Sequence, residues 1–318
     1  MARLPLEGRR LWIAGAGALL LLVAPLVAPQ FPIYVLTSIF IIALLAMSLN
    51  LVLGFGGIYQ FHHAAFYGVG AYTVALIATK TGLPSWVGFI AAPLVAALTG
   101  LLIGWFCVRL TALYFGMLQI SLGSLLWVLV FRWYDFTGGD NGIHEIPVPA
   151  VLGTLSQAYY VVLAVVALCL LAMYVLVHAP FGATLQAIRD NAARCEAVGI
   201  NVRRHQLLAI TLAAFFAGVA GALFAGVEKS VFPNMLFWGL SLEILVMCLL
   251  GGWFTFSGPL LGAAIVVILR TLASRYTDYW TTILGVILIL LIFFLPDGIM
   301  GFVQQRLRRA GQPSGERA

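Results

Sequence analysis

Long apolar stretches separated by short polar punctuation dominate the chain. They fall near residues 11–28, 33–53, 63–79, 86–107, 112–133, 157–177, 207–227, 237–250, 258–273 and 280–296. One helical crossing of a hydrocarbon core roughly 30 Å thick takes about 20 mostly apolar residues. The pattern therefore predicts about ten transmembrane helices. A closed β-barrel also satisfies every peptide group in lipid, but it needs polar and apolar residues to alternate. The run from Val161 to Val177 is apolar throughout. The expected fold class is an all-α polytopic membrane protein. It divides into a cytoplasmic tail over 1–10, a transmembrane domain over 11–303 and a second cytoplasmic tail over 304–318.

Composition supports this. The 318 residues are 63% hydrophobic and 9% charged, against about a quarter charged in soluble domains. Twelve of the seventeen Lys and Arg residues fall on one side when the crossings are numbered from a cytoplasmic N-terminus. That asymmetry puts both termini in the cytoplasm, and it explains the net charge of +6 without nucleic acid. Arg9-Arg10 and the run that follows loosely imitate a secretion signal. The run is long for one and further apolar segments follow at once, so it is expected to remain as the first span. Cys107, Cys169, Cys195 and Cys248 are scattered, without the spacing of a metal site, and read as apolar packing residues.

Two hydrophilic segments interrupt the pattern. Residues 134–156 form an outer loop with three acids, and 178–206 form the longest inner loop, with four arginines. In the inner loop Leu185, Ile188, Ala192 and Cys195 recur at helical spacing, and Gly199 ends the helix. Such an amphipathic helix either lies on lipid or docks on a soluble partner. Leu53–Gly57 and Leu250–Phe254 share a glycine-rich pattern after an inward-going span, a weak sign of an internal repeat.

The segment GFGGIYQFHHAAFYGVGAY, residues 54–72, holds five glycines around Gln60, His62 and His63. Glycine weakens a helix by about 1 kcal/mol, and transporters use broken helices to build binding sites at mid-depth. The competing reading is a cytoplasmic turn with two interfacial histidines. A metal site is not expected, because adjacent helical residues point about 100° apart and no further ligand has useful spacing. Glu243 is the acid well inside a span. It serves transport or sits hydrogen-bonded between helices. Ala214, Gly218, Ala222 and Gly226 make a small-residue stripe for close helix packing.

Several stretches, taken in order, resemble one family: LNLVLGFGGIYQFHHAAFYGVGAYTVAL, TGGDNGI, AIRDNAARCEAVGINVRRHQLLA with FFAGVAGALFA, LSLEILVMCLLGGWFTFSGPLLGAAI and FFLPDGIMGF. They are similar to permeases of ABC importers of the branched-chain amino-acid and urea type, and closest to one member of the permease pair. The resemblance implies a bacterial inner-membrane importer with a second homologous permease, two ABC ATPase subunits and an extracytoplasmic substrate-binding protein. ATP and Mg would then sit on the ATPases, with no cofactor in this chain. It also implies an ATPase-coupling role for the inner loop, with Leu185, Ile188 and Cys195 docking, Arg189 and Glu196 pairing at the rim, and Gly199 closing the helix.

One departure stands out. The family pattern Ser-Leu-Gly-His-Ala-Ala-Phe is here Gln60-Phe61-His62-His63-Ala64-Ala65-Phe66. A Gln amide and an added imidazole suit a polar or carboxylate-bearing solute. Phe66 and neighbouring aromatics can hold an apolar body beside it. The expected substrate pathway is thus Gln60, His62, His63, Phe66 and Glu243, open to a branched-chain amino acid or a related amide or organic acid. The alternative is an ion-coupled secondary transporter, with Glu243 and the histidines as a proton relay. An integral-membrane enzyme lacks a catalytic cluster. No G-x-x-x-x-G-K-[ST] loop is present and neither Lys80 nor Lys229 follows a glycine, so this chain carries no phosphate loop of its own.

Overall fold

The computed structural model describes residues 21–110, 112–274, 279, 282–283, 285–287 and 298–301. The tails at 1–10 and 304–318, most of the segment at 11–28 and much of that at 280–296 lie outside the described residues. Eight predicted segments, from 33–53 to 258–273, coincide with helices: α1 Gln30–Asn50, α2 Ala64–Lys80, α3 Ser85–Cys107, α4 Ala112–Arg132, α5 Leu155–His178, α7 Val202–Glu228, α8 Trp238–Gly251 and α9 Gly258–Ala273. The inner-loop helix α6, Pro180–Ala197, lies between α5 and α7. Local chemistry sets several boundaries. Thr154 and Gln157 form a reciprocal capping box at the start of α5, and Asn201 caps α7 by accepting from the Arg204 N–H.

Helix α7 is the packing axis, with α1, α2 and α3 against it. The predicted small-residue stripe makes this approach possible. A Cβ built on Gly218 would lie 2.5 Å from the Ala96 Cβ, and one on Gly70 would lie 2.5 Å from the Gly218 carbonyl oxygen. Lipid supplies no hydrophobic drive between helices, so close van der Waals contact between small residues holds the bundle.

The connections gather at two ends. At one, Tyr34 at the start of α1 donates to Glu228 at the end of α7. The Lys80 ammonium reaches the Asp135 carbonyl at 3.2 Å, and Ile143 in the acidic loop bridges to Val231. At the other, the Asn50 amide donates to Thr255 O at 3.4 Å and Arg189 donates to Gly54 O at 2.7 Å. The two glycine-rich segments meet there, since a Cβ on Gly54 would lie 2.1 Å from the Trp253 carbonyl oxygen.

The predicted segment at 237–250 is one of the shorter helices. Helix α8 has 14 residues, about 21 Å at 1.5 Å per residue. It starts part-way along α2, where Leu236 fills the space beside Gly68 and Ser241 accepts from the Ala64 N–H. Residues 229–237 therefore link the end of α7 to the side of Gly68. One expectation is corrected. In α6, Ala192 is exposed rather than on the apolar face. Asn191 adopts φ −161°, ψ 96° and kinks the helix, and its side chain then caps the second half at the Arg194 N–H. The turn shifts the register between Ile188 and Cys195.

The two gathered ends generate a labelling prediction. The four native cysteines are buried, which leaves a low background. Asn141→Cys and Ala193→Cys, both at exposed positions, should react with a membrane-impermeant maleimide from opposite faces, Ala193→Cys from the cytoplasm. Reaction of both from one face would refute the arrangement.

Candidate functional site

The glycine-rich segment breaks the first long helix. Helix α1 passes into a π-helical turn at Leu51–Phe55 and then into coil, and α2 starts only at Ala64. A π turn shifts the hydrogen-bond register. Here the Gly57 N–H returns to Leu53 O and the Ile58 N–H to Val52 O, so Gly54 O loses its ordinary partner at residue 58. Gly57 turns the chain out of the helix at φ +65°, a left-handed conformation that glycine adopts without a Cβ penalty.

The break is lined by side chains from four helices. Gln60, His62 and His63 are all at least 98% buried. The His63 ring lies between α1 and the loop, with Nε2 2.7 Å from Ser48 Oγ and Nδ1 3.0 Å from Gln60 Oε1. Gln60 Oε1 only accepts, so Nδ1 carries the proton. A neutral ring then accepts at Nε2 from the Ser48 hydroxyl, whose single hydrogen is also within reach of Leu45 O. Phe66 stands edge-on to this ring at 5.8 Å. The freed backbone is taken up by residues that sequence reading missed. The Gln119 side chain from α4 accepts from the Phe61 N–H at 2.9 Å, and Ser241 from α8 accepts from the Ala64 N–H at 2.9 Å. Their one sequence signal is a polar residue inside an apolar span.

His62 differs from its neighbour. Its ring turns away toward α4, where a Cβ on Gly123 would meet it at 2.3 Å. Both ring nitrogens, and the Gln60 amide nitrogen, are buried without hydrogen-bond partners among the described residues. Each such group costs about 1–3 kcal/mol. The two histidines therefore have different roles: His63 ties the loop to α1, and His62 keeps unspent polar capacity.

Glu243 lies elsewhere. It faces Arg270 across 3.6 Å and borders a cavity of about 650 Å³ whose lining includes Tyr67, Asn234, Phe237 and Trp238. The structure thus brings together Gln60, His63 and Phe66, with His62 on the same loop, and sets Glu243 apart on α8, facing Arg270.

The inner-loop residues divide by face. Leu185, Ile188 and Cys195 are at least 94% buried within this chain, Ile188 and Cys195 clustering with Val202. The expected docking stripe is therefore the seam that fixes α6 to the bundle. Arg189 points inward too, to Gly54 O. Glu196 and Arg194 lie on the exposed side, and Gly199 turns the chain at φ +87°.

The family described as the branched-chain amino acid transport system permease component matches residues 31–295. The high-affinity branched-chain amino acid permease protein LivM of Salmonella typhimurium is 30% identical, covering 92% of this chain and 76% of the relative. LivH of the same organism is 23% identical over 81% of this chain and 91% of its own length. The autoinducer 2 import system permease protein LsrC of Klebsiella pneumoniae is 27% identical over 68% and 63%. No solved structure matches.

The His63 network makes a stability prediction. Ser48→Ala leaves His63 Nε2 buried without its partner and should cost about 1–3 kcal/mol. Thermal unfolding of the detergent-solubilised protein should show a lower midpoint, with Ser48→Thr between the two. An unchanged midpoint for Ser48→Ala would remove this hydrogen bond from the structural account.

Proposed function

This chain belongs to the branched-chain amino acid transport system permease family, and we propose that it forms one permease subunit of an ATP-driven importer. The partners are a second homologous permease, two ABC ATPases carrying ATP and Mg, and an extracytoplasmic binding protein. The cargo is a small polar or carboxylate-bearing solute, a branched-chain amino acid or a related amide or organic acid. The observation that carries this reading is the break at 54–63. It places the buried, unpartnered polar atoms of His62 and Gln60 inside the bundle of a transport permease. Structures of this kind expose such atoms to a passing solute in one conformation and close over them in another.

In this proposal the helices move so that His62 and Gln60 meet the solute, with Phe66 against its apolar part. His63, held by Ser48 and Gln60, positions the loop. Glu243 with Arg270 lines the separate cavity beside the start of α8. Coupling to the ATPases falls to α6. Leu185, Ile188 and Cys195 seat it, while Glu196 and the neighbouring exposed residues present its outer face, and Gly199 sets the turn into α7. The pairing of Glu243 with Arg270 weakens the ion-coupled alternative, in which this acid would be a proton carrier.

Reconstitution tests the reading. Proteoliposomes containing the four-subunit complex and its binding protein should accumulate amino or organic acid with hydrolysable ATP, and lose at least ten-fold of that uptake with a non-hydrolysable analogue. Equal uptake with both, or uptake driven by a proton gradient alone, would contradict it. The double change Gln60→Ser with His62→Gly should alter the relative uptake of the solutes at normal expression. An unchanged preference would remove these residues from selection.

A further inference from the structure

Arg189 sits on the cytoplasmic-loop helix α6, yet its side chain leaves that helix and enters the bundle. Its Nη1 donates to the Gly54 carbonyl at 2.7 Å. Gly54 O is the acceptor that the π turn strips of its helical partner, because the Ile58 N–H bonds instead to Val52 O. A guanidinium on an orphaned carbonyl at a helix C-terminus is a charge-assisted contact that also complements the helix dipole. The fit is steric as well. The arginine stem lies where Gly57 has no side chain, and a Cβ there would come within 2.6 Å of Arg189 Cγ.

Two further contacts fix the guanidinium. Its Nη2 lies 3.1 Å from Asp190 Oδ1, and its centre is 5.2 Å from the Phe254 ring. Phe254 follows Trp253, whose carbonyl lies against Gly54. Three segments far apart in sequence therefore meet at one side chain: α6, the glycine turn of α1 and the glycine turn after α8. A cleft of about 390 Å³, bordered by Phe55, Gln186, Phe254 and Thr255, opens beside them, so the polar link crosses a region that is not packed solid.

We infer that Arg189 is a positioning residue that clamps the broken end of α1 to α6, so that displacement of the cytoplasmic helix is passed to the loop bearing Gln60, His62 and His63. That consequence for transport rests on the importer reading above, whereas the clamp itself does not. The residue acts from within the chain rather than at the rim of a partner contact. Its five donors in a planar fork allow it to hold the carbonyl, the carboxylate and the ring at once, which a lysine ammonium does not reproduce.

The test uses the complete permease–ATPase complex in nanodiscs with a nitroxide at Tyr59→Cys, an exposed position in the broken segment. Arg189→Ala should broaden the motion of that label, and Arg189→Lys should do so less. In proteoliposomes, Arg189→Ala should still co-purify with the ATPases in the wild-type ratio but take up at least ten-fold less solute per ATP hydrolysed, with Arg189→Lys intermediate. An unchanged label spectrum in Arg189→Ala would overturn the clamp, and so would loss of the ATPases from the complex, which would make Arg189 a docking residue. If wild-type uptake proved independent of ATP, the importer reading would fall, and the label spectrum would still decide the clamp.

Discussion

A peptide group that leaves a helix in the buried interior of a protein must find another partner, because no solvent is there to supply one. The organisation of this chain follows from that constraint at the break between α1 and α2. Three groups freed by the π turn and the coil behind it are met by side chains from other elements. Gln119 on α4 takes the Phe61 N–H, Ser241 on α8 takes the Ala64 N–H, and Arg189 on α6 takes Gly54 O. These bonds reach 58, 177 and 135 residues along the chain. A local irregularity thus fixes where three distant helices sit.

The start of α8 answers to the same rule. Helix α8 begins where Leu236 reaches Gly68 and Ser241 reaches Ala64, so the two interrupted helices support each other's ends. The uninterrupted helices α3 and α7 provide the rigid frame, drawn together by Gly218 and its small neighbours. A transport permease needs this combination: a tightly packed frame, and beside it a segment whose backbone bonds depend on side chains that are able to shift.

Much of the frame was legible in the sequence because apolar length is a strong signal. The spans from 33–53 to 258–273 coincide with helices to within a few residues, and the glycines at 54, 56 and 57 marked the break. Where α8 starts along α2 was not legible, since composition does not say which neighbour a helix end meets. The stripe Leu185, Ile188, Cys195 was legible as one face, but periodicity does not say what covers a face, and the bundle itself covers this one. Gln119, Ser48 and Ser241 were passed over because each is a lone polar residue in an apolar run. Their role arises only when folding brings them to the break. The different surroundings of His62 and His63 were equally invisible in two identical adjacent letters.

The central claim is that the loop at 54–63, with its buried His62, becomes part of the path during transport. It is tested most directly by the reactivity of His62→Cys toward a small, charged, membrane-impermeant thiol reagent in the reconstituted complex. His62 is 1% exposed in the structure, so the resting complex should leave this thiol unmodified. During ATP hydrolysis with the binding protein present, modification should rise at least ten-fold, and saturating solute should slow it. A thiol at position 62 that stays unreactive through turnover, in a variant whose uptake persists, would contradict the account.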